Sequence, residues 1–105
     1  MKKIPEKKIK EEVKKILKKY NVAYFMPVGG LYGTSGITDF VCCVNGYYVG
    51  IETKSSDKGE SGLTQLQSKH CQDVLKSNGS WLLVYNESTL ASLEKFLLLT
   101  LAHDE

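Results

Sequence analysis

The sequence predicts an α/β fold, a small mixed sheet between helices in the order α-β-β-β-α-β-α, and three observations lead to it. Apolar residues recur at helical spacing in three separate segments, near residues 5–20, 64–76 and beyond 88. Between the first two, ITDFVCCVNGYYVGIETKSS (37–56) forms two strand-like runs hinged at Asn45-Gly46, a strong hairpin signal. After the second, SWLLVY (80–85) is a short apolar run of buried-strand type. A chain of 105 residues, 42% hydrophobic and 25% charged, has enough apolar surface for one core, so 1–105 reads as a single domain.

From about Pro5 to Tyr20, Ile9, Val13, Ile16, Leu17 and Tyr20 mark one helix face, and Pro5 suits the first turn. VAYFMPV (22–28) is a short strand. GGLYGTSG (29–36) is a glycine-rich loop without the Lys-Ser/Thr ending of a P-loop or the spacing of a dinucleotide fingerprint; it reads as a loop beside the site, with Tyr32 its one aromatic side chain. SSDKGESG (55–62) is a polar loop. Thr64 to Lys76 forms the second helix with Leu66, His70, Cys71, Val74 and Leu75 inward, and Asn78-Gly79 ends it. Ser88 is placed to cap a last helix carrying Leu90, Leu93, Phe96 and Leu97, with Trp81 and Tyr85 in the core and His103 in the tail.

No apolar run is long enough to span a bilayer and no signal-peptide pattern follows Met1, which points to the cytoplasm and away from membranes. Cys42, Cys43 and Cys71 are odd in number, and the first two alternate on a strand, so buried thiols are expected rather than a disulfide framework or zinc site. The net charge of +2 hides an asymmetry: up to Tyr20 nine lysines face three glutamates, a net +6, which leaves −4 for the remainder. All 14 basic residues are lysine. A lysine-rich helix either tracks a phosphate backbone without reading bases or is simply a solvated face.

A two-residue turn at 45 and 46 fixes the hairpin register. Val44 meets Tyr47, Cys43 meets Tyr48, and the ladder continues to Phe40 with Ile51 and Asp39 with Glu52. Phe40, Cys42, Val44, Tyr47, Val49 and Ile51 then share an apolar face, while Asp39, Glu52 and Lys54 share the other. Opposed side chains have Cβ atoms roughly 4.5–5.5 Å apart. Two carboxylates at about 5 Å repel by about 3 kcal/mol at an effective dielectric of about 20. The pair calls for a cation: Lys54 in a salt bridge, or Mg²⁺ or Mn²⁺ on the two acids and the Thr53 carbonyl, which are hard oxygen ligands.

Asp39 followed by Glu52-Thr53-Lys54 on the next strand resembles the D…ExK signature of the PD-(D/E)xK nuclease superfamily, whose restriction-endonuclease-like fold has a similar element order. More narrowly, GITDF (36–40), GYYVGIETKSSDKGESG (46–62), LTQLQ (63–67) and SNGSWLLV (77–84) resemble the stand-alone VRR-NUC (virus-type replication-repair nuclease) domains of phages and bacteria. The likeness runs from the first helix to the strand at Trp81. Thr38 stands where a proline is usual before the aspartate, a departure that removes no ligand. The resemblance implies Mg²⁺-dependent hydrolysis of DNA phosphodiesters, with Mn²⁺ able to substitute. Asp39, Glu52 and the Thr53 carbonyl would hold the metal, and Lys54 would orient water or stabilise charge on phosphorus. It also implies branched or nicked DNA as substrate, such as a Holliday junction, and a homodimer, because a four-way junction presents two symmetric sites. The other class to weigh is a DNA-binding or scaffold module that keeps the fold without turnover; clustered acids near phosphates argue against it.

Two further residues carry alternatives. Thr64-x-x-Gln67 is a capping box, while the resemblance puts a glutamine at position 67 beside the active site. The resemblance also calls for an acid from the first helix. Glu6 falls within the apolar face at about 100° per residue, Glu12 near its edge and Glu11 opposite, so Glu6 is the first choice and Glu12 the second. Glu6 also suits a helix N-terminus on dipole grounds alone.

Overall fold

A computed structural model describes residues 2–28 and 36–102; Tyr32, most of the glycine-rich loop and His103 lie outside the described residues. The elements are α1 (Glu6–Lys19), β1 (Ala23–Phe25), β2 (Phe40–Val44), β3 (Tyr47–Thr53), a 3-10 turn at Gly59–Gly62, α2 (Gln65–Lys76), β4 (Ser80–Val84) and α3 (Glu87–Leu101). They form a mixed sheet in the order β1-β2-β3-β4, in which only β4 runs parallel to its neighbour. A parallel neighbour needs a crossover, and α2 supplies it. No helix among the described residues is long and apolar enough to cross a membrane.

The hairpin follows its sequence. Pairing runs from Val44↔Tyr47 to Phe40↔Ile51. Asn45 and Gly46 both take positive φ, 52° and 84°, as a type I′ turn requires. The core lies on the sheet face covered by α1 and α3. Ile9, Val13 and Leu17 of α1 and Leu93 and Leu97 of α3 close over Phe40, Cys42, Val44, Val49, Ile51 and Val84, all buried. Full burial of such a side chain is worth about 1.5–3 kcal/mol.

Elsewhere the packing redraws the expected boundaries. β1 stops at Phe25, just before Met26-Pro27, where a proline has no N–H to offer a ladder. The cap of α3 lies two residues before Ser88, at Asn86, which forms a better cap: its side chain accepts from Thr89 N at 2.8 Å, and Thr89 Oγ1 accepts from Asn86 N at 3.0 Å. Leu66 and Leu75 of α2 are exposed, and Val74 is the buried residue of that helix. They fall roughly 80–100° to either side of Val74, outside the narrow stripe that α2 lays on the sheet. Tyr47 shares the core-facing register but is 56% exposed, being next to the hairpin turn. Cys42 is buried while Cys43, on the opposite face, is exposed, so the expectation of three buried thiols fails there by strand alternation.

Candidate active site

The acids singled out in the sequence meet at one end of the sheet, where β2 begins and β3 ends. The ladder closes at Phe40↔Ile51, so Asp39 does not form the expected backbone pair with Glu52. Its carboxylate turns to Thr53 instead: Asp39 Oδ2 accepts from Thr53 N at 2.9 Å and from Thr53 Oγ1 at 2.6 Å. Thr53 is fully buried, so this double contact fixes one carboxylate oxygen and leaves Oδ1 without a hydrogen bond among the described residues. The preceding Thr38 is buried too, and its hydroxyl donates to Phe40 O at 2.8 Å. Thr38 rests over Gly50, where a Cβ would come within 3.0 Å of Thr38 Oγ1; a side chain at position 50 would push this approach to Asp39 aside.

Glu52 is the unusual group. It is only 2% exposed, it sits on the sheet face beneath the start of α2, and it carries a carboxylate. Its Oε2 accepts from Gln67 Nε2 at 2.8 Å and faces Lys54 Nζ at 3.6 Å. Its Oε1 is buried with no partner. Burial, then the field of Asp39, pushes the Glu52 carboxyl up to about 7; Lys54 opposes this and Glu6 adds to it. An ionised carboxylate is costly in such a place without a cation.

Gln67 satisfies both of its alternatives with one side chain. Its Oε1 accepts from Thr64 N at 2.9 Å and its backbone N donates to Thr64 Oγ1 at 3.1 Å, closing the capping box. The amide group left over is the one that donates to Glu52. Capping pins Gln67, and the pinned amide then positions Glu52.

From the other side, α1 brings Glu6 and a residue that the sequence reading passed over. Lys10 Nζ lies 3.4 Å from Glu6 Oε2 and 3.7 Å from Asp39 Oδ1, bridging the helix acid to the strand acid. The signal was available, since Lys10 stands four residues after Glu6 and therefore on the same side of α1. Glu12 is turned elsewhere: Lys8 and Lys15 hold it at 3.2 and 3.4 Å, and their contacts keep its carboxyl below the usual range. Glu11 is exposed.

Three acids, Glu6, Asp39 and Glu52, thus share the site with two lysines, Lys10 and Lys54. Both lysines stand off the strand acids at 3.6 and 3.7 Å, outside hydrogen-bond range. Among the described residues no three His, Cys, Asp or Glu side chains converge closely enough to hold a metal by themselves. Magnesium does not require that, because it binds through one or two carboxylates and keeps water or phosphate oxygens for the rest. The unpartnered Oε1 of Glu52 and the Oδ1 of Asp39, which only Lys10 approaches, are hard donors of the kind such an ion takes, so these residues fit a divalent cation. No family model, curated protein or solved structure matches the chain.

Proposed function

We propose that the protein is a metal-dependent DNA endonuclease of PD-(D/E)xK fold and VRR-NUC type, working in the cytoplasm on branched or nicked DNA. The observation that carries this reading is Glu52, a buried carboxylate with one oxygen unpartnered, grouped with Asp39, Lys54 and Gln67 at the open end of the sheet. A binding or scaffold module would gain nothing from that arrangement, because buried acids repel phosphate. A divalent cation on Asp39, Glu52 and the Thr53 carbonyl, Mg²⁺ or Mn²⁺, would supply Lewis-acid polarisation of the phosphate and a more acidic water.

The chain's own groups have distinct work in this reading. Thr53 holds Asp39 in place, and Gln67 holds Glu52. Lys54, itself mostly buried, carries its ammonium beside Glu52, where it would orient the attacking water and meet the negative charge that grows on phosphorus. Lys10 would trade Asp39 for the phosphate as substrate enters. Cutting a four-way junction symmetrically calls for two subunits, and we propose a homodimer, with Leu98 and Leu99 exposed on α3 as the apolar surface on hand. The reading is tested with purified protein in Mg²⁺, Mn²⁺ or EDTA on linear, flapped, nicked and four-way DNA. Cleavage in either metal and none in EDTA is the expected result; no cleavage of any substrate in either metal would overturn it. Sedimentation at micromolar protein tests the dimer separately.

Two side-chain predictions follow from the helices. Glu6→Gln should slow cleavage more than Glu12→Gln, because only Glu6 is tied through Lys10 to Asp39. Equal rates for the two variants would remove α1 from the site. Gln67→Glu keeps a residue able to close the capping box but puts a carboxylate where Glu52 now receives an N–H. A hydrogen bond to a charged group is worth about 1.5–3 kcal/mol, so cleavage should fall roughly 10- to 150-fold. Helix content should be unchanged by circular dichroism.

A further inference from the structure

Beside the site, no helix of the described residues packs over β1 and β2 on the sheet face that carries Glu52. Among the described residues α2 packs on the β4 side of that face, and Ala23, Phe25, Val41, Cys43 and Tyr48 form a shelf around a groove of about 400 Å³. The register places these residues together: Phe25↔Val41 and Ala23↔Cys43 across β1 and β2, then Cys43↔Tyr48 across β2 and β3. Phe25 is 60% exposed and Tyr48 39%, two aromatic rings on a face that bears no charged side chain in that groove. Tyr48 lies four residues before Glu52 on the same strand and the same face, about 13 Å away.

On its α2 side the shelf's Tyr48 shares a groove with Asp73, which Lys69 pairs with, while α1, on the other face of the sheet, carries charge of one sign along one flank. At about 100° per residue, Lys7, Lys10, Lys14 and Lys18 occupy one flank of α1, with Glu11 beyond them on the outer face. The opposite flank carries Lys8, Glu12, Lys15 and Lys19, and Lys19 pairs with Glu94 of α3 at 2.7 Å. The first flank is therefore turned away from α3. Among the described residues Lys7, Lys14 and Lys18 form no ion pair, while Lys10 reaches Asp39. Lys10, Lys14 and Lys18 repeat at about 6 Å along the helix, a row that starts at the acids. An aromatic shelf on the strand that carries Glu52, and a row of cations that starts at Asp39, together suit one kind of partner: a strand whose bases stack while its phosphates are neutralised.

We propose that the shelf stacks an unpaired nucleobase of the DNA strand leaving the site, with the Lys10–Lys14–Lys18 row on its phosphates, so that the enzyme prefers DNA with a single-stranded segment next to the cut. This rests on the nuclease reading and narrows its substrate. Duplexes with a single-stranded tail carrying 2-aminopurine, and a blunt duplex of equal length, are titrated in EDTA so that binding is measured without cleavage. The tail fluorescence should be quenched on binding. Phe25→Ala and Tyr48→Ala should each weaken tailed DNA by roughly 5- to 150-fold, the worth of one stacked base, and leave blunt duplex unchanged. In the wild type, tailed DNA should protect Cys43 from iodoacetamide, read by mass spectrometry at that residue, while blunt DNA should not. Equal losses on both DNAs, or no loss on either, together with unprotected Cys43, would overturn the shelf. Cleavage with Phe25-independent binding removes this inference alone, whereas Phe25-dependent tail binding without cleavage in any metal removes the nuclease reading and leaves the shelf.

Discussion

Asp39→Asn and Glu52→Gln should each lower DNA cleavage by about 10²–10³-fold or more, the scale set by removing one preorganised electrostatic contact to the transition state. Both variants should still fold, for a reason visible in their contacts. An asparagine at 39 keeps an oxygen to accept from Thr53 N and Oγ1, and a glutamine at 52 keeps one to accept from Gln67 Nε2. What each loses is a charge, and with it the pull on a divalent cation. Binding of uncleaved DNA in EDTA should be kept or tightened, since a carboxylate that repels phosphate is gone. Wild-type cleavage rates in both variants, measured on protein of normal helix content, would sink the two-carboxylate site. Thr53→Val is the graded comparison. It removes the hydroxyl bond to Asp39 and keeps the backbone one, so a loss of roughly 3- to 10-fold is expected, as for one ordinary hydrogen bond.

The hairpin explains why so much of this site was legible in the sequence. Asn45-Gly46 fixes the turn, the turn fixes the register, and strand alternation then assigns Glu52 and Phe40 to opposite faces without reference to any other part of the chain. The capping box was legible for the same reason, being set by residues three apart. What the sequence did not reveal depends on contacts between distant segments. Asp39 leaves the ladder because Thr53, 14 residues on, offers it two donors, a competition that local pairing rules do not contain. The exposure of Leu66 and Leu75 reflects how little of the sheet α2 covers, which is a property of the layer packing and not of the helix pattern. Lys10 was one of nine lysines in the first 20 residues, and nothing in a run of like residues marks the one that will meet an acid from a strand.

In EDTA, the wild-type protein should lose stability as pH rises from 5 to 8.5, and Glu52→Gln should not. Glu52 is raised from 4.5 to about 7 in the folded protein by burial and by Asp39, so folding takes up a proton between those two values. The contribution of this group is therefore fully present below pH 4.5 and is lost as pH rises through about 7. With each unit worth 1.36 kcal/mol, the loss levels off at about 3 kcal/mol above pH 8. A glutamine at 52 keeps the bond to Gln67 and has nothing to ionise, so the variant should match the wild type near pH 4.5 and exceed it at pH 8.5. On a domain of this size about 3 kcal/mol corresponds to a melting temperature higher by roughly 12–24 °C. Glu12, Asp57 and Glu94 are lowered acids, titrate below this window, and are common to both proteins, so they cancel in the comparison. Adding Mg²⁺ at pH 8.5 should restore the wild type by mass action and leave the variant nearly unmoved, because the ion's partner is the ionised carboxylate. Parallel melting curves for the two proteins from pH 4.5 to 8.5 would show that Glu52 ionises in the fold at no cost, so that the site carries its charge without needing a cation to offset it.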